Sequence, residues 1–302
     1  MLNPKLGNPA QIISAYQLKF DEGTANGKSV VLVHNGGLEV MFSKSNGLDI
    51  LYVKYNGKNI SFLTKNGING REGGFPTRFD AGFLYTCGMD NIGSCVEDKP
   101  MHGSLHLTAA ESVNVITDNE KVIVSGIVKD TALFGKNLQM HRKFIVYADK
   151  IEINDTVENC AFVDDGFTLL YHVNYGYPFL DESLEIKMDL IKSEGRTEYA
   201  KQGLKDQFKI LPPIDGGEEQ CFYNQLRKGV VDLTNKDLGV KVQMNYDLEQ
   251  LPFNVMWKSM ISGDYALGIE PCTTLFHQFK MVPIKKGEKK NFNLAISFLE
   301  IK

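Results

Sequence analysis

Apolar and polar residues alternate with a period of two along several stretches of this chain, and that period is the strongest constraint on its fold. Val240, Val242, Met244 and Tyr246 alternate with Lys241, Gln243, Asn245 and Asp247, and Phe292, Leu294, Ile296 and Phe298 alternate with Asn291, Asn293, Ala295 and Ser297. Successive side chains of a strand point to opposite faces, so each stretch reads as a strand with one buried and one wet face. Ile151, Ile153, Asp155 and Val157 repeat the pattern in the second arm of a long hairpin, residues 137–147 and 150–158, turned at Ala148-Asp149. Asn35-Gly36-Gly37, between apolar runs at 29–34 and 38–42, is a second hairpin signal. Neither a Pro/Ser/Gly-rich linker nor the strand/helix alternation of a parallel sheet interrupts the series. About fourteen to eighteen strands therefore point to one large antiparallel sandwich, an all-β domain spanning residues 1–302.

Two segments break the regularity. Residues 65–99 are rich in glycine, with Gly67, Gly70, Gly73, Gly74, Gly82, Gly88 and Gly93 among aromatic and charged residues. They read as a long functional loop. Residues 181–217 are the least regular part and contain the one short helix expected, over 196–205.

Composition excludes several function classes. With 302 residues and 43% hydrophobic content the chain buries a large core. The net charge is −4 and its lysines and arginines are scattered, so no footprint for nucleic acid is present. No apolar run reaches the roughly 18 residues that span a bilayer, and no export signal opens the chain. Five widely spaced cysteines without a CxxC pair fit free thiols, and hence a cytoplasmic protein.

The chemistry-bearing residues stand where apolar ones are expected. In the run 168–178, His172 and Asn174 share one strand face while Tyr171, Val173 and Tyr175 share the other. Polar groups inside an apolar strand cost free energy unless something partners them, and a ligand is one such partner. In the run 265–271, Ala266, Gly268 and Glu270 share a face, so a carboxylate lies beyond two positions of minimal bulk. These features predict that His172 and Glu270 face each other across a pocket. His102 and His106 stand four apart, but Gly103 and Pro100 argue against the helix that this spacing needs for a metal site. Arg142, on the hairpin strand, suits a ligand contact or a structural ion pair.

The segments 81–93 (with Thr86-Cys-Gly88), Met101-His-Gly103, Leu133-Phe-Gly135, 170–178, and Trp257-Lys258 through Gly268-Ile-Glu-Pro271 resemble the aldose 1-epimerase-like proteins of the galactose mutarotase superfamily. The nearer likeness is to a bacterial branch with a Thr-Cys-Gly loop. The matches run in order from about residue 79 to 274, over most of the chain. The resemblance implies a large antiparallel β-supersandwich, with Glu270 as general base and His172 as general acid. It also implies sugar contacts from His102 and Arg78. Asn174 and Lys258 are expected to bond further hydroxyls, and Trp257 or Phe79 to cover an apolar sugar face.

Such a pair suits anomer exchange, in which a base takes the C1 hydroxyl proton and an acid protonates the ring oxygen. No metal or organic cofactor is called for. A small-molecule carbohydrate is the expected partner, with a homodimer left open. A carbohydrate-binding or sensing module, an isomerase of a sugar acid or other derivative, and a structural protein with a vestigial pocket are the alternatives. Ser104 departs from the branch, whose members often carry arginine after His-Gly, and this is expected to alter which group of the sugar is read.

Overall fold

In the computed structural model, which describes residues 4–95 and 99–301, the alternating stretches form strands whose apolar members are buried. Residues 96–98, in the glycine-rich segment, lie outside that description. The first sheet is an antiparallel meander of β1 (Ile13–Lys19), β2 (Ser29–Asn35), β3 (Leu38–Ser43), β4 (Ile50–Tyr55) and β5 (Lys58–Asn59). Asn35 to Gly37 turns β2 into β3 as expected, Gly36 adopting a φ of 55°.

The second sheet contains β6 (Leu84–Met89), β7 (Glu111–Thr117), β8 (Val122–Thr131), β9 (Asn137–Val146), β10 (Lys150–Asn159), β11 (Asp165–Tyr175), β12 (Leu184–Gly195), β13 (Gln220–Asn235), β14 (Val240–Tyr246), β15 (Phe253–Ile261), β16 (Asp264–Cys272), β17 (Val282–Ile284) and β18 (Lys289–Glu300). Its spatial order is β17, β11, β16, β15, β13, β14, β18, β10, β9, β8, β7, with β6 added to β11 and β12 to β13. The long hairpin is β9 and β10, closed where the Tyr147 amide donates to the Lys150 carbonyl. The two sheets share one core. Phe42 of β3 meets Phe144 of β9 at 5.0 Å between ring centres, and Tyr55 of β4 meets Phe298 of β18 at 5.8 Å. Each such aromatic contributes about 1.5–3 kcal/mol by burial.

Two expectations are corrected. The glycine-rich segment is not one loop: after a single-turn helix, α1 (Phe75–Arg78), it supplies β6, which is wholly buried beside β11. Its glycines permit close approach, since a Cβ on Gly88 would lie 2.3 Å from the Thr168 carbonyl oxygen. The helix expected over 196–205 is shorter, α2 (Glu198–Gln202), because the Thr197 hydroxyl caps it by accepting from the Ala200 amide. Arg196 is thereby left outside the helix.

Candidate functional site

His172 and Glu270 are brought together by strand pairing. β11 and β16 are antiparallel with Leu170 opposite Cys272 and Val173 opposite Ile269, a register that sets His172 across from Glu270 on one face. Their side chains are 8% and 2% exposed, and Nε2 of His172 lies 3.1 Å from Oε1 of Glu270. The two residues thus sit side by side on the floor of a cavity, not on opposite walls as the sequence suggests. Gly268 makes the contact possible: a Cβ there would lie 2.7 Å from Oε1 of Glu270 and 3.0 Å from Cε1 of His172. The small residues expected before the carboxylate therefore make room for the pair itself.

The cavity, of about 350 Å³, is walled by Phe75, Phe79, Met101, Trp257 and Phe276, with His102, Arg196, Glu219 and Cys221 adding polar groups. That size falls in the range of small-ligand sites. Phe75 and Phe79, four residues apart, stack at 4.6 Å on one side of α1.

His102 reaches the cavity through a tight turn. It has a φ of 65°, and Gly103 one of 80°, where a Cβ would lie 2.1 Å from the Gly88 carbonyl oxygen. This is why a glycine follows the histidine. Nδ1 of His102 donates to the Ile92 carbonyl at 3.1 Å, which leaves Nε2 as an acceptor in the neutral ring.

Burial dominates the electrostatics of the floor. It pushes the His172 imidazole down to about 3, assisted by His102 and opposed by the amide of Asn174. It likewise lowers His102 to about 4, against the bond to Ile92. Burial holds the Glu270 carboxyl well above the usual carboxylate range, Arg196 opposing and Glu219 assisting. Desolvation thus disfavours the charged forms of both side chains. Nδ1 of His172 and Oε1 of Glu270 are buried without a hydrogen-bond partner. Most buried polar groups have a partner, and a ligand in the cavity would supply one to each of these atoms.

Of the other residues singled out by sequence, Trp257 and Phe79 line the cavity and three do not. Asn174 shares the face of His172, but its amide is turned onto the carbonyls of Gly82 and His172. Arg78 ends α1, and its side chain is not part of the wall. Lys258 follows Trp257 on β15 and so points to the opposite face. There its ammonium donates to the carbonyls of Asp206, Gln207 and Lys209. Replacing it by methionine should leave those carbonyls unsatisfied and cost about 1–3 kcal/mol in a urea titration, with ligand response at Trp257 unchanged. A loss of ligand response at full stability would return Lys258 to the site.

Ser104 is not part of the cavity wall, and it donates to Asp130 and Asp90 beside Lys136. His106 is engaged elsewhere, with Nδ1 donating to Asp49 at 2.7 Å and Nε2 3.5 Å from Asp80. Leu133 and Phe134 lie fully outside at the β8/β9 turn.

Arg196 and Glu219 were not singled out by sequence. Nη2 of Arg196 donates to Oε1 of Glu219 at 2.5 Å, and the Trp257 indole donates to Oε2 at 2.7 Å. Both residues come from irregular segments flanking β12 and β13, where no periodicity marks a direction.

A family described as a domain of unknown function, DUF4432, matches residues 25–297. No curated protein matches the chain. Among solved structures, a Klebsiella pneumoniae protein provisionally named an aldose 1-epimerase is similar with a TM-score of 0.85 at 20% identity, over 96% of this chain and 88% of that one. A galactose mutarotase-like protein of Clostridium acetobutylicum is similar with a TM-score of 0.70 at 12% identity, over 96% and 100%. A galactose 1-epimerase of Lactobacillus acidophilus gives 0.66 at 12% identity, again over 96% and 100%. The fold is that of the galactose mutarotase-like proteins.

Proposed function

The chain belongs to the DUF4432 family, and from that premise and its fold we propose that residues 1–302 act as one domain, an isomerase that interconverts the anomers of a free sugar. The observation that carries this reading is the buried pair His172 and Glu270, in contact and short of hydrogen-bond partners on the floor of a sugar-sized cavity. Between them the two side chains hold one exchangeable proton. The neutral form and the form with imidazolium and carboxylate differ only by its transfer across 3.1 Å.

In the charged form, Glu270 takes the proton of the C1 hydroxyl as the C1–O5 bond breaks and a C1 carbonyl forms. His172 gives its proton to the ring oxygen. The open aldehyde turns about C1–C2 and closes on its other face, with both transfers reversed, so that no proton is gained or lost. His102 offers Nε2 to a hydroxyl, and Phe79 and Trp257 supply apolar walls. Action in the cytoplasm belongs to the same reading, and all five cysteines are free. No helix of the described residues is long and apolar enough to cross a membrane.

Saturation-transfer NMR between anomeric protons, across a panel of aldoses, deoxy sugars and uronic acids, tests it. Exchange faster than in buffer is expected for some members. Binding without faster exchange would assign the chain to the carbohydrate-recognition class instead.

A further inference from the structure

Glu219 is held at the cavity from two directions, by the Arg196 guanidinium on one carboxylate oxygen and the Trp257 indole on the other. Arg196 is itself fixed, since its amide donates to the Cys221 carbonyl at 2.9 Å and ties the end of β12 to β13. Among the described residues lining the cavity, Arg196 and Glu219 are the two that carry opposite permanent charges, and they form an ion pair. The floor adds one shared proton and no net charge, and His102 is neutral. The lining is therefore compensated without a ligand. An anionic ligand would find its natural partner, the guanidinium, already engaged by a carboxylate that would repel it.

We propose that Glu219 sets the charge class of the ligand, so that the cavity takes neutral sugars and refuses sugar acids and sugar phosphates. Neutralising Glu219 would free Arg196 to receive the anion. This rests on the sugar reading of the cavity but not on its catalysis, because it concerns binding. It also argues against the alternative of an isomerase for a sugar acid.

The test is calorimetric titration of the wild type, Glu219→Gln, and the double variant Glu219→Gln/Arg196→Met. The probes are glucose, galactose and 2-deoxyribose on one side, and galacturonate and glucose 6-phosphate on the other. Circular-dichroism melts would check that each variant folds. In the wild type, at least one neutral sugar should bind about tenfold or more tightly than either anion. Glu219→Gln should tighten anion binding by about tenfold or more, and the added Arg196→Met should cancel that gain. Anions that bind the wild type as well as neutral sugars do, or an unchanged preference in Glu219→Gln, would overturn the proposal. Absence of any sugar binding would overturn it together with the sugar reading. Retained preference without anomer exchange would leave it standing and remove only the isomerase.

Discussion

Replacing Glu270 by glutamine is expected to lower the anomer-exchange rate by about a hundredfold to ten-thousandfold, the usual contribution of a positioned acid or base. The substitution isolates chemistry from structure. Burial raises the carboxyl pKa and so disfavours its charged form, and an uncharged amide of the same shape adds no buried charge and opens no hole. Thermal stability should therefore not fall, and KM should move by no more than a few fold. His172→Gln should lose a similar factor, and the double variant little more than either single one, because the two residues act as a unit.

The pH dependence follows from the one proton the pair must hold. With the imidazole depressed and the carboxyl raised, the rate should fall as the pH rises through the raised carboxyl pKa and that proton is lost. Retention of more than about a tenth of the rate in Glu270→Gln would remove the residue from the reaction.

Arg142→Met should be the most destabilising single change, by about 3–5 kcal/mol in a denaturant titration. Arg142 is fully buried between two carboxylates, with Nε and Nη2 donating to Asp155 at 3.2 and 3.0 Å and Nη1 to Asp49 at 2.7 Å. It also donates to the Gly47 carbonyl and the Thr86 hydroxyl. Methionine would fill most of the volume but remove the cation between the carboxylates, leaving Asp49 with His106 and Thr86 and Asp155 with the Tyr171 hydroxyl. Arg142→Lys keeps the charge but not the planar fork, and should fall between wild type and Arg142→Met.

The network lies beneath the floor of the site. Tyr171 donates to Asp155 at 2.9 Å, and Thr86, opposite Tyr171 on β6, donates to Asp49. Tyr171 and His172 are adjacent on β11 and face opposite ways, so one strand joins the ion network to the cavity. A loss below about 1 kcal/mol in Arg142→Met would mean that the carboxylates are protonated or solvated, and that the network does not brace the strand.

The sequence by itself determined the strands that alternate, because a period of two is a local property of the chain, but not β6 or β12, which lie in segments without it. Val242, Ile153 and Phe298 declare their buried faces through their neighbours, and His172 and Glu270 declare themselves as polar intruders on such faces. The same period already excludes Lys258 from any cavity that Trp257 faces, a signal present in the sequence but outweighed by resemblance. Other assignments depended on partners distant in the chain. Asn174 has the right face, yet the carbonyl of Gly82, 92 residues away, turns its amide aside.

Only the tertiary structure decided that His172 and Glu270 touch, since their separation is fixed by the register of β11 on β16. It alone decided that Arg196 and Glu219 meet at the cavity, for irregular segments take their direction from whatever they pack against. It also left Ser104 bonded to Asp90 and Asp130, outside the wall. The physical reason is common to all three. Alternation fixes the two faces of a strand, while which face looks into a cavity, and which loops reach it, depend on contacts made across the fold.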